Sequence, residues 1–216
     1  MGHTPQRARS AEAKHQRERD ILDAARALGS ERTVRAVTLT DIAAEVGMHK
    51  SAMLRYFETR EQIFLTLTAE SWQEWTAAVC AELRPLESAT PAELASALAR
   101  SLVARPLFCD LLAHAPMNLE RNVSLDTVVA FKRSVLRDVA SVAGELRRLL
   151  ALPEPAAADA VATATAMAGA LWQMAAPGTA LRTLYETHPE LTHALVDVEP
   201  RLTAILTALL TGMSGE

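Results

Sequence analysis

Residues Thr38 to Phe57, TLTDIAAEVGMHKSAMLRYF, constrain the fold more than any other stretch of this 216-residue chain. Thr38 is a good helix N-cap. Asp41, three residues on, can return a hydrogen bond to the cap's backbone N–H, giving a capping box with Asp in place of the usual Glu. Ile42, Ala43 and Val46 recur at helical spacing, and Gly47 supplies a left-handed residue to end the helix. After Met48 a second helix starts at His49 or Lys50, with Met53, Leu54 and Phe57 as its apolar positions. Helix, Gly-containing turn, helix is the helix-turn-helix pattern, whose second helix enters the DNA major groove. The small and polar first turn, His49, Lys50, Ser51 and Ala52, permits close approach to DNA, and Arg55 and Tyr56 follow on the helix His49–Tyr56. Lys50, Ser51 and Arg55 are expected to reach base edges. Thr38, Thr40, Tyr56 and Arg60 are expected to hold phosphates. A solvated, mildly basic helix packed through Met53 and Phe57 would carry the same residues, so the flanks must decide.

On the N-terminal side, residues 16–30 repeat Ile21, Leu22, Ala25 and Leu28 at helical spacing and would brace the pair. The segment from Arg17 to Phe64 resembles the N-terminal domain of the tetracycline-repressor (TetR) family. The residues carrying the resemblance are Ile21-Leu22-Asp23-Ala24-Ala25, Thr38, Asp41-Ile42-Ala43, Val46-Gly47-Met48, Lys50, Arg55-Tyr56-Phe57 and Arg60-Glu61-Gln62-Ile63-Phe64. The chain departs from the family pattern at Thr33, where Gly is usual, and at Gly29, where an aromatic usually ends the first helix. Leu54 stands where a Tyr commonly touches phosphate, and Arg60 keeps the charge of the Lys that usually opens the fourth helix. The resemblance implies an all-α fold, with a three-helix DNA-binding head and a helical body that binds a ligand and dimerises. The expected plan is a flexible basic arm over 1–15, a head over 16–62 and a regulatory and dimerisation body over 63–216. In the arm, Arg7, Arg9 and Lys14, with Arg17 just beyond, would reach phosphates or the minor groove.

Composition agrees with helices. Half the residues are apolar but only 4% are aromatic, and Ala and Leu outnumber β-branched runs. Residues 1–60 carry eleven Lys+Arg against eight Asp+Glu, whereas residues 61–216 carry eleven against eighteen. A mildly basic head on an acidic body fits nucleic-acid binding confined to one end. No charge-free apolar run reaches the roughly 18 residues of a spanning helix, and residues 1–20 lack the apolar core of a secretory signal. Cys80 and Cys109 lack framework spacing. A cytoplasmic protein with reduced thiols and no membrane partner is expected.

Past the head, Thr59 caps a fourth helix that runs to about Leu83 and joins head to body. Further helices are expected near 91–104, 107–115, 124–151, 156–176, 179–187 and 199–211, punctuated by Pro91, Pro106, Pro116, Pro153 and Pro177-Gly178. Trp72, Phe108, Leu111, His114, Met117, Phe131, Trp172 and Gln173 are expected to line an effector pocket, with Leu112 and Met174 as further apolar lining and Asn118 as a polar anchor. The Ala-rich helix around Ala166 and the stripe Leu202, Ile205, Leu206, Leu209 and Leu210 are expected to form the homodimer seam. No GxSxG, P-loop, GxGxxG or HExxH occurs, so neither enzyme activity nor a cofactor nor a metal site is expected. The reading is a sequence-specific regulator, a ligand-responsive repressor on a palindromic double-stranded DNA operator. Its rival is a helical small-molecule-binding or scaffold dimer whose head has lost DNA binding, which Leu54 and the loop around Thr33 keep open.

Overall fold

The computed structural model describes residues 4–215, without the side chains of residues 4–10, His193 and Ala194. The phosphate contacts expected of Arg7 and Arg9 lie outside the described residues. The described chain is all-α, with no strand. Its helices are α1 (Thr4–Glu31), α2 (Leu39–Glu45), α3 (Lys50–Met53), α4 (Arg60–Leu83), α5 (Pro91–Val103), α6 (Pro106–His114), α7 (Leu125–Leu150), α8 (Glu154–Ala175), α9 (Ala180–Thr187) and α10 (Val198–Ser214). Short 3-10 turns at Leu119–Asn122 and Pro189–Ala194 complete it. No described helix is long and apolar enough to cross a membrane.

α1 starts at Thr4, so the described part of the expected arm is helix. Its first turns lack an apolar face, but Arg, Ala, Glu, Lys and Gln are strong helix formers, and Pro5 is tolerated in a first turn. Same-face pairs add support, such as Lys14–Glu18 at 3.7 Å and Gln16 donating to Asp20 at 2.9 Å.

Sequence chemistry sets the other boundaries. Thr90 and Glu93 form a capping box ahead of Pro91. The Ser124 hydroxyl accepts from Thr127 N–H at 3.3 Å to open α7, and α8 opens behind Pro153.

Two apolar cores follow. The body core joins α4, α5, α6, α7, α8 and α10 around Trp72, Trp75 and Phe108. The rings of Trp72 and Trp75 meet edge-to-face at 5.5 Å, and Trp75 Nε1–H donates to Ser101 Oγ at 2.9 Å. The head core, built on Ile21, Ile42, Met53, Ile63 and Phe64, continues into the body through Leu111, Ala115, Leu119 and Phe131. α6 packs closely under α8, where a Cβ on Gly169 would lie 2.8 Å from the Ala113 nitrogen.

The stripe on α10 divides between two environments. Leu202, Leu206 and Leu210 are buried against the body core beside α5. Only Ile205 and Leu209 remain half-exposed. A 17-residue helix laid on α5 must bury one i, i+4, i+8 face within the protomer, so Leu202 and Leu206 are core rather than free seam residues.

Candidate nucleic-acid interface

The capping box at Thr38 is formed in full. Thr38 Oγ1 accepts from Asp41 N–H at 3.2 Å, while Thr38 N–H and Oγ1–H both donate to Asp41 Oδ2, at 2.7 and 2.6 Å. Those bonds, with the Arg32 charge behind them, outweigh desolvation and hold the Asp41 carboxyl below its ordinary value. Both donors of Thr38 are therefore committed to the cap. Thr40, two residues on, is exposed and has no side-chain hydrogen bond among the described residues.

Gly47 adopts φ 64°, the left-handed conformation that turns the chain between α2 and α3. Met48 N–H closes the turn on Ala43 O at 2.8 Å. His49 then caps α3, its Nδ1 lying 2.9 Å from Ser51 Oγ. The expected helix His49–Tyr56 is realised as a single α-turn, Lys50–Met53, continued by tighter bonds from Arg55 N–H to Ala52 O and from Tyr56 N–H to Met53 O. Met53 and Phe57 are buried against α1 and α4. His49, Lys50, Ser51 and Arg55 are exposed, and Ala52 and Tyr56 are half-buried. Lys50 and Arg55 make no ion pair among the described residues, so both charges face solvent uncommitted. Leu54 is not an apolar anchor of this helix as its spacing implied. It is 52% exposed, because the helix tightens after Met53 and swings position 54 outward.

Arg60 takes a different place from the one expected of it. Its guanidinium points inward, donating from Nε to Val37 O and from Nη2 to Val34 O, with Nη1 3.0 Å from Glu61 Oε1. It also lies 4.6 Å from the centroid of the Phe64 ring. A planar fork suits two loop carbonyls that a Lys could not hold together, and those bonds commit its donors within the protein.

The loop 32–37 that Arg60 grips is held on its other side by the body. Asp110 on α6, almost fully buried, accepts from Val34 N–H at 2.6 Å through Oδ2 and from Gln173 Nε2 at 2.7 Å through Oδ1. His114 Nε2 lies 3.4 Å from Oδ1. Burial alone would raise the Asp110 carboxyl, but the bonds from His114, Val34 and Gln173 outweigh it and hold the group below the ordinary carboxylate value. A second link runs from Glu58, beside α3, whose Oε1 accepts from Ser124 N–H at 2.8 Å and Thr127 Oγ1–H at 3.1 Å at the start of α7. Sequence reasoning reached neither link, since the partners stand 76 and 66 positions apart.

A cavity of about 830 Å³ opens beside Asp110, between the end of α1, its following loop, α4, α6 and the end of α8. Of the eight residues expected around an effector, Phe108 and Trp172 line it. Gln173 stands behind it on Asp110. Trp72 and Leu111 are buried in the two cores and do not line it, and Phe131, packed on the head core, borders a separate, smaller cleft with Thr127 and Ser134. Met117 is 72% exposed in the turn after α6, and His114 faces a smaller cleft next to Arg60. No group of three or more His, Cys, Asp or Glu residues suited to a metal occurs among the described residues.

Comparison with known proteins accounts for this arrangement. A profile of bacterial regulatory proteins of the tetR family matches residues 21–67. A tetracyclin-repressor-like C-terminal domain profile matches residues 69–216. The chain belongs to the TetR family. It is therefore a DNA-binding transcriptional regulator with the family's helix-turn-helix head and helical C-terminal domain. Crystal structures share the fold across nearly their whole length. A Mesorhizobium loti protein assigned to the TetR family aligns with a TM-score of 0.57 at 16% identity, over 94% of this chain and 96% of its own. A Rhodococcus transcriptional regulator aligns at 0.53 and 17% identity, over 91% and 97%. A TetR/AcrR-family regulator from Thermobifida fusca aligns at 0.51 and 18% identity, over 90% and 96%. No match was found among curated protein sequences.

Proposed function

We propose that this TetR-family regulator is a homodimeric, ligand-responsive repressor that reads a palindromic operator, with head 16–62 and body 63–216 as its working units. The observation that carries the reading is the outer face of α3 and the turn that follows it. Lys50, Ser51 and Arg55 stand exposed and free of ion pairs there, while Met53 and Phe57 fix the opposite face in the head core. Lys50, Ser51 and Arg55 reach base edges, and His49 and Ala52 allow the close approach. Thr40 and Tyr56 hold phosphates. Thr38 and Arg60 act behind them, through the α2 cap and the loop. Leu54 meets the sugar-phosphate backbone as an apolar contact where the family commonly has Tyr.

Two heads on one palindrome require a two-fold dimer. Ala162, Ala166 and Ala170 on α8, and Ala204, Ala208 and Gly212 on α10, are exposed at four-residue intervals. Together with half-buried Ile205 and Leu209 they favour close helix packing between two copies. An effector in the body would shift the spacing of the heads, and a coupling of roughly 1–3 kcal/mol would change operator affinity about 5–150-fold.

Selection of bound sequences from a random duplex pool, with wild type and with Lys50→Ala/Arg55→Ala, tests the reading. Wild type should enrich a palindrome and the double variant should not. No enrichment by a folded wild-type dimer would favour the rival scaffold reading.

A further inference from the structure

The 830 Å³ cavity lies where the head loop, α4, α6 and the end of α8 meet. Its size suits a drug-sized ligand, and Phe108 and Trp172 give it an aromatic wall. The lining carries three carboxylates, Glu31, Glu74 and Asp110, against two guanidinium groups, Arg32 and Arg105. Both guanidinium groups are already engaged. Arg105 forms a two-point pair with Glu74, at 2.7 Å for each bond, and Arg32 lies 3.7 Å from Asp41. Glu31 has no partner among the described residues, and Asp110 has only hydrogen-bond donors and the His114 ring around it. The unpaired charge facing the cavity is thus negative, which disfavours an anionic ligand and favours a cation. Gly29 keeps the cavity open on the head side, where a larger residue would press on Leu107.

We propose that this head–body cavity binds an aromatic or amphipathic organic cation bearing N–H donors, and that the cation displaces Val34 N–H from Asp110 and so releases the head loop. The inference rests on the ligand-responsive reading above and adds the site, the ligand class and the residue through which occupancy reaches the DNA. The loop leads directly into the Thr38 cap of α2. Val34 N–H is held from α6 by Asp110, and the carbonyls of Val34 and Val37 are held from α4 by Arg60. An ammonium seated beside Asp110 makes a bond in which both partners are ionised, stronger than that from the neutral Val34 N–H, and its bulk pushes the loop off Oδ2, leaving Arg60 as the loop's remaining polar clamp. The head then changes its angle on the body.

Titration calorimetry on the full chain at neutral pH, with two probes of one skeleton and opposite charge, tests this: 3,3-diphenylpropylammonium and 3,3-diphenylpropanoate. The ammonium should bind at least about tenfold more tightly than the carboxylate. The preference should fall several-fold in Glu31→Gln and in Asp110→Asn. Ser30→Trp, an exposed rim position, should block binding by covering the mouth. On the selected duplex, saturating ammonium should weaken wild-type binding by roughly 5–150-fold, whereas Glu31→Gln and Ser30→Trp should keep wild-type DNA affinity without it. Equal binding of the two probes, preference for the carboxylate, no binding of the ammonium, or bound ammonium with unchanged DNA affinity would each overturn the proposal. Ligand-free DNA binding is read in the same samples, so a failure of the head to read DNA is seen separately from a failure of the cavity. Should Asp110→Asn not fold, the Glu31 and Ser30 variants still decide it.

Discussion

At φ 64° Gly47 sits where a side chain would crowd its own carbonyl, although the space around it is open. The cost of a substitution there is purely conformational. Gly47→Ala should lower stability by about 1–2 kcal/mol in chemical denaturation, and Gly47→Asn by clearly less; equal losses would place the cost elsewhere. Gly169 is the opposite case. It is helical, so Ala should gain up to about 1 kcal/mol in propensity. The added Cβ would, however, lie 2.8 Å from backbone on α6, which cannot rotate away. Overpacking of this kind costs about 1–3 kcal/mol, so Gly169→Ala should be destabilising, and a rise in melting temperature would contradict the close packing. Burial, with the Asp110 charge beside it, pushes the Cys109 thiol up to about 12, and burial raises Cys80 as well. Neither thiol should react with maleimide in the native state at neutral pH, and both should react in denaturant.

The head loop is gripped from two sides, by Arg60 of α4 and Asp110 of α6. Arg60→Lys keeps the charge but loses the fork, so it should cost about 1.5–3 kcal/mol of head stability and should not rescue Arg60→Ala. Thermal melting of the two variants compares them directly. Asp110 gives the same loop a pH dependence. Its folded carboxyl lies below the ordinary 3.8, so its stabilising contribution is complete above that pH and is lost as pH falls below it toward the lowered value. The stability gap between wild type and Asp110→Asn should therefore be widest near neutrality and shrink below about pH 4. A gap that grew on acidification would contradict the assignment. The helix boundaries near Thr59, Thr90-Pro91, Pro106, Ser124 and Pro153 were legible because caps and prolines act on adjacent residues. The N-terminal turns of α1 were not, because apolar period was the signal sought and the sequence there offers helix-forming residues without it. Arg60 looked like a phosphate ligand because its partners, Val34 and Val37, are neighbours only after folding.

For the whole molecule, helices were readable from capping, composition and helical periodicity, and the order of head and body came from the resemblance to the TetR family. Residue type alone could not separate the apolar residues that only fill a core, such as Trp72 and Leu111, from those that also border the cavity, such as Phe108 and Trp172. The difference is set by how α4, α6 and α8 converge, which no local pattern records. The same limit applied to α10. Its leucines pointed to a seam between two protomers, but α5 took one face of the helix within the protomer. What remains outward is small: Ala166 and its neighbours on α8, and Ala204, Ala208 and Gly212 on α10. Replacing Ala166 or Ala208 with Glu should split the dimer in sedimentation while leaving the protomer folded.

Under the proposal, Lys50 and Arg55 belong to the surface that reads DNA. The most direct measurement is the affinity of wild type and Lys50→Ala/Arg55→Ala for the selected duplex and for the same duplex with both half-sites scrambled, at one salt concentration. Wild type should prefer the selected duplex by several kcal/mol. The double variant should lose about 1–3 kcal/mol of that discrimination for each base contact removed and keep much of its weak binding to the scrambled sequence. A double variant that still discriminated as wild type does would place sequence reading on another face of the molecule.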